Sequence, residues 1–298
     1  MRPERALLSE IVDYAGLFPP AQLPLEKAVR EYAAHLGEEK AWMLGRFIIP
    51  AQRLEELEPH LVLFSEPVRI AALGKGGRSE DEYLKNLNQD LTAIKTFRTA
   101  QDAAVSIDSF EARLPPLPVT NAFIANVANQ LREAGLKQSH EFAVDDHLEL
   151  TMAALAAADA GAKLRCGGVT ADAVPAPEQV ARFIVAARDA GVPVKFTAGL
   201  HHPVRHFSDD IQTEMHGFLN LYVGGMLAHT TSFGWQELAG IIADQSPDAF
   251  ALTGVGVEWR GRLVRSEDAV RLRENALLGQ GSCSFAEPVA DLHDMGWL

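Results

Sequence analysis

Two short segments, Gly161-Ala-Lys-Leu-Arg-Cys-Gly-Gly168 and Val192-Pro-Val-Lys-Phe-Thr-Ala-Gly199, decide how this chain is read. Each is β-like, carries one lysine and ends in glycine. Lys163 and Lys195 lie 32 residues apart. Between them Val180, Phe183, Ile184 and Ala187 repeat with helical period, after Pro177 near the helix start. This is the length of one strand–helix–strand unit, so the spacing predicts the lysines on neighbouring parallel strands at similar height. Two ammonium groups held close repel, and one can lose its proton near neutral pH. A neutral lysine attacks a carbonyl and forms a Schiff base.

The same alternation runs outward in both directions. Candidate strands are 11–18, 44–49, 68–73, 104–108, 140–145, 162–166, 193–198 and a last one near 276–283. Leu25, Ala28, Val29, Tyr32, Ala33 and Leu36 follow one helical stripe, and Leu84, Leu87, Leu91 and Ile94 another, behind a Ser79-x-x-Glu82 capping box. Eight strands alternating with helices predict parallel pairing and, at this length, a closed (β/α)8 TIM barrel as a single domain over residues 1–298. An open doubly wound sheet is the alternative. It lacks the Gly-x-Gly-x-x-Gly signature after the early strands. Gly74-Lys-Gly-Gly77 has neither the spacing nor the ending of a P-loop and reads as an ordinary βα-loop. Residues 207–265 exceed a minimal barrel and are expected as an insertion before the last strand, packed on or beside the barrel. They hold two helix-like segments and a hairpin around Gly254 and Gly256, with Trp259, Arg260 and Arg262 placed either to cover the mouth or to form a homodimer contact.

Bulk properties narrow the partners. A net charge of −13 argues against nucleic acid and anionic membranes and leaves a small-molecule substrate. Two cysteines, Cys166 and Cys283, make no disulfide framework and read as buried thiols, neighbours in space if both strands end together. The N-terminus lacks a signal-peptide core, and the most apolar run, Phe218 to Ala228, is too short to span a bilayer. The expectation is a cytoplasmic protein.

Strand alternation selects the side chains that reach the mouth. Lys163 shares a face with Arg165, Lys195 with Thr197, Ser106 with Asp108, and Glu141 with Ala143 and Asp145. If the lysines point inward, a cluster of cations and carboxylates results. Burying it is costly unless its members pair or do chemistry. A salt-bridged polar plug is the bland reading. Gly167, Gly168 and Gly199 admit close backbone approach, and Gly281-Ser-Cys-Ser284 runs into a capped helix. Together they form a candidate anion site of Gly167, Gly168, Gly199, Gly281, Ser282 and Ser284.

The order of these features resembles the deoxyribose-phosphate aldolases. Asp13-Tyr-Ala-Gly-Leu17 followed by Glu26-Lys-Ala-Val29 is similar to that family's first strand and helix. Lys163-Leu-Arg-Cys-Gly167 is similar to its Schiff-base strand, and Val194-Lys-Phe-Thr-Ala-Gly199 to its second lysine strand. Asp108 falls where the family has a proton-relay aspartate, and Gly281-Ser-Cys-Ser284 resembles its phosphate loop. The likeness in order covers most of residues 11–200 and the last twenty. It implies a cofactor-independent class I aldolase-like lyase acting on a small, optionally phosphorylated, carbonyl compound. Lys163, Lys195, Asp108 and Glu141 are then the candidate catalytic residues. Asp13, Arg165, His201 and His202 are the candidate substrate contacts, and no metal is implied. The chain departs from the family at Arg165 and Cys166, at His201-His-Pro203 and across 207–265. Competing readings are a metal-dependent isomerase or hydrolase built on the His201–His216 region, and a non-catalytic ligand-binding barrel.

Overall fold

The computed structural model describes residues 1–298. Its strands are β1 (Val12–Tyr14), β2 (Leu44–Pro50), β3 (Val68–Leu73), β4 (Val105–Arg113), β5 (Lys137–Glu141), β6 (Gly161–Arg165), β7 (Val194–Thr197), β8 (His206–Ser208), β9 (Thr213–Met215), β10 (Phe250–Leu252), β11 (Gly256–Trp259), β12 (Arg262–Arg265) and β13 (Leu277–Ser282). The helices are α1 (Pro3–Leu8), α2 (Leu25–His35), α3 (Glu80–Gln101), α4 (Asn121–Glu133), α5 (Leu148–Ala157), α6 (Pro177–Ala190), α7 (Phe218–Thr230), α8 (Trp235–Ile242), α9 (Ser266–Asn275) and α10 (Ala286–Asp294). Strands β1 to β7 and β13 close into a parallel barrel in the order β1-β13-β7-β6-β5-β4-β3-β2. The (β/α)8 barrel is therefore the fold.

The helices form where the apolar stripes and caps lie. In α6 the stripe Val180, Phe183, Ile184 and Ala187 is buried, Pro177 opens the helix, and Gly191 closes it at φ 70°, a backbone state that costs glycine little. In α3 the Ser79 side chain accepts the Glu82 amide at 3.2 Å, so the predicted cap is present. The main core lies between sheet and helices, where Phe47, Ile70, Phe110, Leu164 and Phe196 point outward from the barrel. Inside the barrel the apolar cluster is small: Ala15, Ile48 and Ala71. The rest of the interior is polar, which places the charged side chains there.

Three expectations are corrected in detail. The strand predicted at 104–108 continues to Arg113. Its pairing with β3 jumps from Ile70–Ile107 to Ala71–Ser109. That one-residue bulge at Asp108 resets the alternation, so Ser109, Glu111 and Arg113 share the inward face beyond it. The strand predicted at 140–145 instead spans 137–141, because residues 143–147 turn toward α5. The segment 207–265 is not wholly an addition to the barrel. Its helix α7 is buried along its length and serves as the barrel helix between β7 and β13. Tyr222 of α7 meets Phe196 edge-on at 5.4 Å and donates to the Leu278 carbonyl at 2.7 Å. Outside it, α8 packs on α6 and α7, and the antiparallel sheet β10-β11-β12 packs on α1, α7 and α9. Gly224 permits this second layer, since a Cβ there would stand 2.8 Å from Leu238 Cδ1. No helix is long and apolar enough to cross a membrane.

Two buried histidines make the fold sensitive to acid. His140 sits between Tyr83 and Gln138, with burial pushing its pKa down to about 4. His216 accepts from Arg205 and donates to the Pro175 carbonyl at 2.7 Å. Burial, helped by Arg205, pushes it down to about 4 as well. The unfolded chain therefore binds more protons than the folded one between pH 6.5 and about 4. This stabilisation is complete above the ordinary histidine value and is lost as pH falls through that window. The free energy of unfolding in urea is expected to drop across it by on the order of 1–3 kcal/mol per histidine, and less in His140→Gln. A flat profile would show that neither imidazole is held neutral.

Candidate active site

Lys163 and Lys195 are directly paired in register across β6 and β7. Both side chains point into the barrel and are buried, at 5% and 4% exposure. The group between them is Glu111, from the stretch of β4 beyond the bulge. Its carboxylate is fully buried. Lys195 donates to Glu111 Oε1 and to Asp13 Oδ2. Lys163 Nζ lies 2.8 Å from Glu111 Oε2, but off the direction of a hydrogen bond, and that oxygen accepts none. Lys163 also faces Glu141 Oε2 at 3.6 Å, and Glu141 Oε1 accepts from Arg165 Nε at 3.2 Å.

The electrostatics follow from this geometry. Burial would push the Glu111 carboxyl up, but two lysines against it outweigh burial and hold it down to about 2. Burial would lower Lys195, but Asp13 and Glu111 outweigh that and raise it, so Lys195 is an ammonium. Asp13 is fixed by the Arg46 backbone amide, which donates to its second oxygen at 2.5 Å. Gly45 and Gly279 leave room for that carboxylate: a Cβ on Gly45 would lie 2.2 Å from Asp13 Oδ1.

The remaining candidates divide. Asp108 does not join the lysines. It holds Arg46 through two hydrogen bonds of 2.6 Å, and that ion pair keeps its carboxyl low against the opposing effect of burial. The carboxylate between the lysines is Glu111, which lies beyond the strand end predicted from sequence. Its signal was present in Ser109-Phe-Glu-Ala-Arg113, where Phe110 and Ala112 alternate with polar residues. Arg165 reaches the C-terminal mouth with its side chain half exposed. His201 and His202 sit at the rim of that mouth, tied to α10 through Glu287 at 2.7 Å and Asp291 at 2.5 Å.

Of the anion-site candidates, Gly167 and Gly199 are in backbone contact, and a Cβ on Gly167 would stand 2.9 Å from Gly199 Cα. The methyl of Met215, on β9, occupies the space above both. Gly168 packs against Ala173, and Gly281 faces Thr197. The Ser282 hydroxyl is turned onto the Ser284 backbone. Of the four histidines predicted as a metal alternative, the rings of His202 and His206 meet at 4.3 Å, while His201 is held on Glu287 and His216 on Pro175. His206 faces the Val204 carbonyl and His216 is sealed between Arg205 and Pro175. No three His, Cys, Asp or Glu side chains are grouped as a metal centre requires. The two cysteines are free thiols with separate surroundings: Cys166 against the Leu164 carbonyl, Cys283 against His201.

The cluster is approached from two sides. Arg165 and Glu141 bound it toward the C-terminal mouth. Toward the N-terminal ends of the strands lies a cavity of about 1120 Å³, lined by Asp13, Arg46, Ser109, Lys137, Lys195 and Gly279 among others. Barrel enzymes place their chemistry at the C-terminal face, and Lys163 does not line this lower cavity, whereas Lys195 does.

No protein-family model matches the chain, and no curated protein does. Solved structures similar to it include the tetrameric deoxyribose-phosphate aldolase of Aeropyrum pernix, at 14% identity and TM-score 0.46 over 66% of this chain and 79% of that one. The BexX/CysO complex of Amycolatopsis orientalis is similar at 16% identity and TM-score 0.38, over 65% and 73%. The HMG-CoA lyase of Brucella melitensis is similar at 13% identity and TM-score 0.41, over 77% and 81%. At such distances the chemistry of the site stands on its own geometry.

Proposed function

We propose that this chain is a class I carbon–carbon lyase that holds a small carbonyl compound as a Schiff base on Lys163. The observation that carries the reading is the pair of register-matched buried lysines sharing one buried carboxylate, Glu111. Charge pairing singles out Lys163. If it gives up its proton, Glu111 keeps Lys195 and Glu141 keeps Arg165. If Lys195 gave up its proton, Asp13 would lose its only side-chain cation and keep only the Arg46 amide. The cost of an unpaired buried charge therefore falls on the second choice and not on the first. Lys195 stays as the fixed cation on the far side of Glu111.

In the proposed reaction Lys163 Nζ bonds to the carbonyl carbon, and the carbinolamine loses water to give an iminium. The iminium takes the electron pair of the breaking carbon–carbon bond, while the hydroxyl proton of the departing aldehyde passes to Glu141. The resulting enamine is reprotonated and hydrolysed, which returns the amine. Glu141 suits the proton transfer because it lies between Lys163 and the half-exposed Arg165 at the mouth.

The test is borohydride reduction of the full chain with a panel of small aldehydes and ketones, followed by peptide mass mapping. An adduct on Lys163 is expected. A panel with no adduct on either buried lysine would reduce the cluster to a salt-bridged plug. The phosphate arm of the proposal, at Gly167, Gly168, Gly199 and residues 281–284, requires the β8–β9 hairpin to shift, because Met215 stands on the glycines. Titration with inorganic phosphate is expected to show tighter binding to Met215→Ala than to the unmodified protein. Equal or absent binding in both would restrict the substrate to uncharged carbonyl compounds.

A further inference from the structure

We propose that Cys283, His201 and Glu287 form a second reactive site, a thiol nucleophile at the barrel rim that takes an acyl group from an ester or thioester. The site lies outside the lysine cluster and does not depend on the lyase reading. It arises from the topology. Strands β7 and β13 are paired, with Thr197 opposite Gly281, so the loops leaving them meet at the C-terminal rim. Ala198 at φ 62° and Gly199 at φ 72° turn the first loop and deliver His201. Cys283 follows the last residue of β13, and α10 begins three residues later with Glu287 in its first turn. The Ser284 hydroxyl accepts the Glu287 amide at 3.3 Å and fixes that turn.

The three side chains then stand in line. His201 Nε2 lies 3.5 Å from Cys283 Sγ, a hydrogen-bond distance for sulfur, and His201 Nδ1 lies 2.7 Å from Glu287 Oε2. Nucleophile, base and orienting carboxylate thus occupy the two ring nitrogens as thiol acyl transfer requires. Burial works against charge on His201, but Cys283 and Glu287 outweigh it and hold the imidazole up to about 9. Cys283 is buried at 9% exposure but is less enclosed than Cys166, which is at 0% and whose thiol burial pushes up.

In the step itself, the thiol proton passes to His201 Nε2 while Sγ bonds to the carbonyl carbon and the π pair moves to oxygen. Collapse breaks the bond to the alcohol or thiol, which leaves with the proton held on His201 Nε2. Water then attacks the acyl–sulfur bond, gives a proton to His201, and releases the carboxylic acid and Cys283.

The experiment uses p-nitrophenyl acetate and iodoacetamide on the full chain, with mass mapping. A burst of about one p-nitrophenolate per chain is expected, with the acetyl group on Cys283. Iodoacetamide is expected to label Cys283 before Cys166 and to abolish the burst. His201→Ala should slow acetylation roughly 100-fold and Glu287→Gln roughly 10-fold, with Cys166→Ala unchanged. Mapping in the unmodified protein needs no variant to fold. Acetyl groups found only on lysines, or Cys283 alkylation no faster than that of a free thiol, would overturn the proposal. Either result leaves the borohydride test of Lys163 untouched.

Discussion

Glu111→Leu is expected to destabilise the protein by about 3–5 kcal/mol, the range for removing one partner of a buried ion pair. Glu111 is fully buried and is the carboxylate shared by both lysines. Without it, Lys195 retains Asp13, and Lys163 retains only Glu141 at 3.6 Å, already engaged by Arg165. The loss is thus concentrated on Lys163. Glu111→Leu combined with Lys163→Leu should recover part of the deficit, because it removes the stranded charge as well as its partner. The four urea midpoints of that double-mutant cycle measure the coupling. The pH dependence has a fixed sign. The Glu111 carboxyl is depressed from 4.5 to about 2, so its contribution is present above its unfolded value and disappears as pH falls through about 2. If Glu111→Leu lowered the unfolding free energy by less than about 1 kcal/mol, the three side chains would not act as a buried ion-pair cluster.

The lysine pair was legible because strand–helix–strand spacing fixes neighbouring strands, and equal offsets along them fix height; the register Lys163–Lys195 is that inference realised. Burial of the α6 stripe was legible for the same kind of reason: a period of 3.6 allows one apolar face. The partner of the lysines was not legible from the same pattern. A strict two-residue alternation through Ser106 and Asp108 puts Asp108 on the inner face, and only the bulge at that residue passes the central position to Glu111. Bulges depend on how two strands fit together, which no local period encodes. The histidines show a second limit. Their crowding in sequence suggested one site, yet His201 and His202 turn to α10, while His216 turns inward to Pro175. The link between His201 and Cys283 spans 82 residues and exists only because the barrel closes β13 between β7 and β1. Residues 207–265 read as an insertion because they exceed a minimal barrel, and the uniform apolarity of α7 offers no single helical face to assign. Burial on all sides, by barrel and outer layer together, is what that composition means.

Lys163→Met should abolish borohydride trapping at the barrel centre, while Lys195→Met should weaken it without moving the adduct. The asymmetry rests on what each substitution leaves behind. Lys163→Met removes the amine but leaves Lys195 bound to both Asp13 and Glu111, so the site stays folded and charged but has no nucleophile. Lys195→Met removes the ammonium that stands across Glu111. Asp13 then depends on the Arg46 amide, and Glu111 draws on Lys163 alone. Lys163 then cannot leave Glu111 without stranding a buried carboxylate, so it attacks carbonyls slowly. A loss of roughly 10- to 100-fold in trapping rate corresponds to about 1.4–2.7 kcal/mol of added barrier. The reverse pattern, trapping abolished in Lys195→Met and retained in Lys163→Met, would transfer the nucleophile to Lys195. It would also move the approach of the substrate to the cavity at the N-terminal strand ends, which Lys195 lines and Lys163 does not. Mass mapping of the reduced adduct separates the two, since the lysines fall on β6 and β7, with Arg165, Arg182 and Arg188 between them as cleavage points.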